Sequence, residues 1–191
     1  MYNGNIVLLS APGGGKGTLS KQLLQKYGYT LVSTGDILRE EKKSGSEIGK
    51  EISDILGKGN LVPDEVVNQV IKNKIKDFEP SGRVIFDGFP RTVVQGEFLD
   101  TIADIGLVIY LEVSDDTIRE RILERGKTSG REDDQSIDII NRRILQYKTE
   151  TKPLIDFYGS KKILATIDWE ESINEVFNRV ENIIKLWKWQ F

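Results

Sequence analysis

The chain has 191 residues, which is the length of one domain, and no linker divides it. Hydrophobic residues make up 38% of it and charged residues 30%, as in globular chains with a core of their own, which excludes a disordered chain or a small disulfide-stapled scaffold. The formal net charge is −3, from 27 Lys and Arg against 30 Asp and Glu, so we expect neither nucleic acid nor a membrane surface as a partner.

Cysteine and histidine are both absent from the sequence. Their absence excludes thiol chemistry, Cys/His zinc sites and acid–base catalysis by imidazole. The apolar run at residues 6–9 is too short for a signal peptide or a membrane span. We therefore expect a cytoplasmic protein.

Short runs of apolar residues recur along the chain, and each is predicted to form a strand. Most are nearly unbroken rather than alternating, which is typical of parallel strands that helices cover on both faces. The segments between them are long enough for crossover helices, so the pattern predicts an α/β fold with three layers. The predicted strands are residues 5–10, 30–33, 83–87, 107–113 and 162–167.

The intervening segments show helical spacing of apolar residues and suitable end signals. The predicted helices are residues 16–26, 35–44, 48–56, 64–76, 94–102, 116–125, 136–147 and 170–187. Two stretches interrupt the alternation of strand and helix: residues 34–62, which hold two helices, and the polar loop 126–134. Insertions of this kind on an α/β sheet often form flaps over a binding site.

A glycine-rich segment, Ser-Ala-Pro-Gly-Gly-Gly-Lys-Gly-Thr at residues 10–18, follows the first predicted strand and opens the first predicted helix. The three consecutive glycines allow successive backbone N–H groups to point inward, and the helix N-terminus adds partial positive charge. Lys16 supplies a mobile cation for the outer phosphates. The segment therefore predicts a phosphate-binding loop.

Two positions depart from the strict P-loop pattern. Ser10 stands in place of the first glycine, which predicts a less tightly closed loop, although a serine with negative φ fits there without strain. Gly17 stands where a Ser or Thr usually follows the lysine. The hydroxyl comes one residue later, at Thr18, and this variant resembles the P-loop of nucleoside-monophosphate kinases.

The resemblance extends beyond the P-loop to blocks in the same order as in the adenylate kinases. These blocks are Ser-Thr-Gly-Asp-Ile-Leu-Arg at 33–39, Asn-Leu-Val-Pro-Asp at 60–64, Asp-Gly-Phe-Pro-Arg-Thr-Val-Val-Gln at 87–95, Ser-Gly-Arg-Glu-Asp-Asp at 129–134, Arg143, and Lys-Pro-Leu-Ile at 152–155. Together they span about residues 5 to 168. The chain thus resembles the adenylate kinase family in its short-lid form.

This resemblance implies a P-loop NTPase fold with a five-stranded parallel sheet and helices on both faces. It implies a core of residues 1–33, 63–125 and 135–191, an NMP-binding flap at 34–62 and a short lid at 126–134. It further implies a monomer that catalyses the Mg²⁺-dependent reaction ATP + AMP ⇌ 2 ADP. The attacking group in such a reaction is a phosphate oxygen, so cations and positioning suffice without a general base.

The same resemblance assigns roles to individual residues. Implied to be catalytic are Lys16, Asp87, Arg91, Arg131 and Arg143, with Asp87 acting on the metal through water. Implied to bind ATP are Gly13, Gly14, Gly15, Lys16, Gly17, Thr18, Arg121 and Arg125, with Arg121 against the donor base. Implied to bind AMP are Thr34, Gly35, Arg39, Asn60, Leu61, Val62, Gly88, Phe89, Pro90, Arg91, Gln95, Arg131 and Arg143.

Two alternatives stay open at the sequence level. Relatives that phosphorylate UMP and CMP tend to carry Ala in place of Thr34 and Asn at the position of Thr92, so the residues present favour AMP. A P-loop ATPase or switch module is the more remote alternative, and residues 73–76 lack the final Asp of a guanine-reading Asn-Lys-x-Asp motif. The spacing also leaves open whether Arg142 or Arg143 is the catalytic arginine.

Overall fold

A five-stranded parallel sheet forms the centre of the molecule, in a computed structural model that describes residues 2–57, 60–75, 83–129, 134, 136–170 and 172–187. The strand order is β2-β3-β1-β4-β5. The α/β prediction is therefore confirmed. The strands are β1 (Asn5–Leu9), β2 (Thr30–Ser33), β3 (Val84–Asp87), β4 (Ile105–Glu112) and β5 (Leu164–Asp168).

The central strand β1 is buried on both faces. Val7 and Leu9 point into one hydrophobic cluster, and Ile6 and Leu8 point into another on the opposite face. Because successive side chains of a strand alternate between faces, an unbroken apolar run supplies both clusters at once. This is the physical reason why the apolar runs predicted a sheet between two helical layers.

Helices pack on both sides of this sheet. They are α1 (Lys16–Tyr27), α2 (Thr34–Ser44), α3 (Glu47–Gly57), α4 (Asp64–Ile75), α5 (Val93–Ile102), α6 (Asp115–Ser129), α7 (Ile137–Gln146), α8 (Pro153–Ser160) and α9 (Ile173–Leu186). In the part of the chain that the structure describes, no helix has the length and apolar character needed to cross a membrane.

The largest error in the predicted elements concerns the polar loop 126–134, since α6 continues as a helix to Ser129. Gly126 lies inside this helix, where glycine normally weakens it. Its lack of a side chain has a structural use, because a Cβ added there would lie 2.6 Å from the backbone oxygen of Asp134. The backbone of Asp134 thus packs closely on the extra turn of α6.

Helix α8 was not predicted at all. Pro153 stands at its first turn, where proline's missing N–H costs nothing, and Leu154 and Tyr158 bury one face. A π-helical turn, Tyr147–Thr151, joins it to α7. Helix α9 begins at Ile173 rather than at residue 170, because a capping box between Ser172 and Glu175 fixes its start.

The sheet register places the ends of three strands side by side. Asp87, the last residue of β3, is level with Leu8 of β1 and with Ser33 of β2. In open parallel sheets, ligands bind at the carboxyl ends of the strands where the chain order changes direction. The glycine loop after β1 and the carboxylate of Asp87 meet at this edge.

Candidate active site

A cleft of about 1040 Å³ lies along the carboxyl edge of the sheet. Most of the residues predicted for the site line it: Gly13, Gly14, Gly15, Lys16, Gly17, Thr18, Gly35, Arg39, Asn60, Leu61, Asp87, Gly88, Pro90, Arg91, Arg121, Arg125 and Arg143. Four others are buried behind its wall: Thr34, Val62, Phe89 and Gln95. Arg131 lies outside the described residues, as do the other lid residues 130, 132 and 133.

The glycine loop needs its glycines for different reasons. Gly13 and Gly15 have φ values of 75° and 88°, a left-handed conformation that side-chain-bearing residues rarely adopt. Gly14 has no such φ, but a Cβ added there would lie 2.5 Å from the Ser10 hydroxyl oxygen and 2.9 Å from the Ala11 carbonyl oxygen. The loop is therefore tightly curled around Ser10.

We expect Gly15→Ala to destabilise the protein by roughly 2–3 kcal/mol, from left-handed strain and overpacking together. The added Cβ would lie 2.4 Å from Nε1 of Trp169, whose indole is buried against the loop. Gly17→Ala is the matched control, because a Cβ at Gly17 meets nothing within 4 Å. Urea unfolding of both variants measures the effect, and equal stability of the two would contradict this packing.

The Lys16 ammonium group makes three hydrogen bonds within the loop itself. Its acceptors are the Ser10 carbonyl at 2.9 Å, the Ser10 hydroxyl at 2.8 Å and the Ala11 carbonyl at 3.1 Å. Burial lowers the pKa of Lys16 to about 8. The nearby carboxylate of Asp87 opposes this shift.

Three arginines reinforce the lowered pKa of Lys16 by charge repulsion: Arg91, Arg125 and Arg143. They come from the turn after β3, from α6 and from α7, so separate parts of the chain converge on one place. Such a concentration of positive charge, in a chain whose net charge is negative, is suited to bind polyanions. The cleft therefore has the electrostatics of a phosphate site.

Asp134 holds two of these arginines. Its fully buried carboxylate accepts two hydrogen bonds from Arg125, at 2.6 and 2.8 Å, and one from Arg143 at 2.7 Å. Burial alone would raise the pKa of this carboxyl, but the hydrogen bonds and charges of the two arginines outweigh it and lower the pKa. The carboxylate thus fixes both guanidinium groups at the cleft.

The choice between neighbouring arginines on α7 follows from their placement. Arg143 lines the cleft and bonds to Asp134, whereas Arg142 is exposed and does not line it. The geometry therefore favours Arg143 for the role that the spacing left open.

Arg121 lies on the same helix as Arg125 and faces the loop after β5. One nitrogen of its guanidinium donates to the Trp169 carbonyl at 3.0 Å. The other, Nη1, is buried and has no hydrogen-bond partner among the residues that the structure describes. Arg121 and Trp169 both line the cleft, so this end of it offers a cation and an aromatic side chain.

The opposite end of the cleft is bordered by α2 and by the turn after β3. Arg39 forms an ion pair with Asp36 there, and the Nε of Arg91 donates to the Gly88 carbonyl at 2.9 Å. Thr34 begins α2, and its buried hydroxyl lacks a partner within the described part of the chain.

Gln95 belongs to a hydrogen-bond network that links α4 with the start of α5. Its side-chain oxygen accepts from the backbone N–H of Arg91 at 2.7 Å, and its side-chain nitrogen donates to Asp64 at 2.7 Å. The hydroxyl of Thr92 caps α5 and also donates to Asp64, at 2.8 Å. A carboxylate can only accept hydrogen bonds, so the Gln95 nitrogen must face Asp64. The Gln95 oxygen is thereby directed to the N–H of Arg91.

Sequence reasoning did not identify Trp169 or the side-chain role of Asp64. Asp64 begins the helix predicted over residues 64–76, and its contacts to α5 depend on how two distant segments meet. The one available signal for Trp169 was its position directly after the last strand, at the ligand-binding edge of the sheet.

Comparisons with known proteins agree with this geometry. A family model described as adenylate kinase matches residues 8–163. An adenylate kinase of Parabacteroides distasonis is 39% identical over 185 residues, covering 94% of this chain and 97% of that protein. One from Bacteroides thetaiotaomicron is 40% identical over 178 residues, covering 91% and 94%. Adenylate kinase isoenzyme 1 of Rattus norvegicus is 41% identical over 177 residues, covering 92% and 91%. The segment that the family model matches contains the glycine loop, Arg91, Arg125, Arg143 and α8. This chain therefore belongs to the adenylate kinase family.

Proposed function

We propose that the protein catalyses ATP + AMP ⇌ 2 ADP in this cleft. The observation that carries the proposal is the convergence of Lys16, Arg91, Arg125 and Arg143 around one space. A hydrolytic P-loop module has to position a water molecule against a single triphosphate. A cluster of fork-shaped cations drawn from both sides of the cleft fits two phosphate chains meeting end to end.

The donor nucleotide is assigned to the half of the cleft formed by the glycine loop and α6. Backbone N–H groups of residues 13 and 15–17 would hold its phosphates, and Arg125 would neutralise them. The unpartnered guanidinium nitrogen of Arg121 and the neighbouring indole of Trp169 support a planar base at the outer end. Among the described residues, these groups form a continuous wall of the cleft.

The acceptor nucleotide is assigned to the half formed by α2 and the turn after β3. Arg39 and Arg91 would bind its single phosphate, with Asn60, Leu61 and Val62 around the base. The buried Thr34 hydroxyl, which has no hydrogen-bond partner among the described residues, supports a ligand on this side. The Gln95 amide oxygen accepts one hydrogen bond and its nitrogen donates one, which leaves one further acceptor site and one further donor hydrogen for the adenine edge.

Catalysis would rest on charge and position. The nucleophile is a phosphate oxygen of AMP that is ionised at neutral pH, so no protein base is required. Arg143 is already fixed by Asp134, which reduces the reorganisation needed as charge develops. Arg131 is assigned to the transferring phosphoryl group as well, from the lid.

Magnesium is the metal that we propose, and the residues present fit it. Asp87 at the end of β3, acting through water, and the hydroxyl of Thr18 line the same cleft and would provide oxygen atoms for the ion. Among the described residues, no three Asp or Glu side chains cluster so as to hold a metal ion by themselves. When bound, such an ion would neutralise the donor phosphates.

Residues 34–62 are assigned as the NMP-binding flap and 126–134 as the lid. The helices of the flap pack tightly on each other, since a Cβ at Gly49 of α3 would lie 2.3 Å from the Glu41 carbonyl of α2. Helices α2 and α3 are therefore packed directly on each other. The cytoplasmic location and the monomeric state stay predictions.

The acceptor base tests the proposal. We expect AMP to exceed UMP and CMP by at least about tenfold in kcat/KM, which is roughly 1.4 kcal/mol of discrimination. Gln95→Ala should narrow this gap, because it removes the amide oriented by Asp64. Gln69→Ala is the control, since Gln69 is engaged with Asn73 on the exposed side of α4.

A coupled assay of ADP formation with ATP and each monophosphate gives the comparison. Turnover of CMP or UMP equal to that of AMP would assign the protein to pyrimidine monophosphates instead. ADP formation that needs no monophosphate at all would favour a P-loop ATPase.

A further inference from the structure

The hydroxyl group of Ser10 is an additional acceptor for the P-loop lysine. Two of the three acceptors of Lys16 are backbone carbonyls, which any residue at positions 10 and 11 would provide. The third, at 2.8 Å, is the Ser10 side chain. A glycine at position 10, as in the strict P-loop pattern, has no such group.

Ser10 is held firmly in this position. Its side chain is buried, and its hydroxyl donates its own hydrogen to the Ala11 carbonyl at 3.0 Å. The loop backbone passes so close that Gly14 has no room for a Cβ beside the hydroxyl oxygen. With its hydrogen committed to Ala11, the oxygen is left to accept from Lys16.

These contacts stabilise the buried positive charge of Lys16. The Lys16 ammonium group is removed from water and is repelled by the charges of Arg91, Arg125 and Arg143. The three acceptors replace its lost hydration. An incoming phosphate can attract the ammonium group only in competition with them, so each acceptor in the loop opposes nucleotide binding.

We propose that Ser10 is a positioning residue that holds the Lys16 ammonium group within the loop and competes with the donor phosphates for it. The serine thereby weakens ATP binding relative to the same loop with a glycine or an alanine at position 10. The inference rests on the proposed function only in that Lys16 is the cation for the donor phosphates; it does not depend on the acceptor nucleotide.

Ser10→Ala removes the hydroxyl and keeps the backbone. We expect the Kd for MgATP, measured by calorimetry, to fall about three- to tenfold, because a hydrogen bond to a charged group contributes more than a neutral one. The KM for ATP should fall in parallel, with kcat within about twofold of the wild type. The Kd for AMP alone should not change.

A second measurement of Ser10→Ala, made in a Lys16→Met variant, shows whether Ser10 acts through the lysine. If Ser10 acts through the lysine, then Ser10→Ala changes the Kd for MgATP in the wild type and has no effect in Lys16→Met. A purely structural role of Ser10 in the loop would persist in both backgrounds. Ser20→Ala is the matched control, since Ser20 is a buried serine of α1 that bonds to the Gly17 carbonyl and not to Lys16.

Weaker or unchanged MgATP binding by Ser10→Ala would overturn the proposal, as would an equal effect in the Lys16→Met background. Should Ser10→Ala fail to fold, Ser10→Gly makes the same comparison. Failure of the proposed function would be seen separately, as a lack of AMP phosphorylation by the wild type, while these ATP-binding measurements would still decide the role of Ser10.

Discussion

Lys16→Met is expected to reduce kcat/KM for ADP formation by about 10²–10³-fold, the loss that follows removal of one preorganised group that stabilises transition-state charge. Methionine keeps most of the volume and the helix propensity of lysine, so α1 should remain intact. The variant loses the lysine whose ammonium group makes three hydrogen bonds within the glycine loop. Steady-state kinetics and circular dichroism together separate activity from folding.

Lys74→Met serves as the control, because Lys74 is an exposed residue in the last turn of α4. It should retain the activity of the wild type. Wild-type turnover by Lys16→Met would show that the glycine loop is not the donor-phosphate site.

Asp134→Asn should destabilise the protein by about 3 kcal/mol or more, which is the usual effect of breaking a buried ion pair from one side. The amide cannot neutralise Arg125 and Arg143, both of which remain mostly buried at the cleft. The two guanidinium groups would then repel each other and Lys16. Chemical unfolding of both proteins at neutral pH measures the difference in the free energy of unfolding.

The stabilisation that Asp134 provides should decrease as the pH falls. The folded-state pKa of Asp134 lies below its ordinary value of 3.8. The carboxylate therefore contributes stability above that value, and the contribution is lost as the pH falls through the lower folded-state pKa. The gap in stability between wild type and Asp134→Asn should be widest at neutral pH and shrink below about pH 4.

A gap that stays constant down to low pH would contradict the assigned charge of Asp134. Asp138→Asn is the comparison variant, because Asp138 lies exposed in the first turn of α7. Its effect should be small, within the few tenths of a kcal/mol typical of a charge near a helix N-terminus.

The glycine loop could be predicted from sequence because its chemistry is local. Three glycines and a lysine between an apolar run and a helix allow few other structures, and the parallel sheet followed from apolar runs that supply both faces of β1. The match of the family model confirms the resemblance that the ordered blocks indicated. The individual roles of the site residues stay predictions.

Other features depend on tertiary contacts that no local pattern encodes. The extension of α6 past Gly126 reflects the close approach of Asp134, and the left-handed Gly15 packs under Trp169 from the far end of the sheet. No helix was predicted over residues 153–160, where Pro153 occupies the first turn of α8 and only Leu154 and Tyr158 are buried. The contact of Ser10 with Lys16 joins two residues of one short loop, but its geometry follows from the curl of the whole loop.

Direct phosphoryl transfer from ATP to AMP can be tested by ³¹P nuclear magnetic resonance. The purified protein is mixed with ATP, AMP and Mg²⁺, and the signals of ATP, ADP, AMP and inorganic phosphate are followed over time. Direct transfer predicts that each AMP consumed yields two ADP, that inorganic phosphate does not accumulate, and that ATP alone stays intact. Release of inorganic phosphate at a rate independent of AMP would contradict the account.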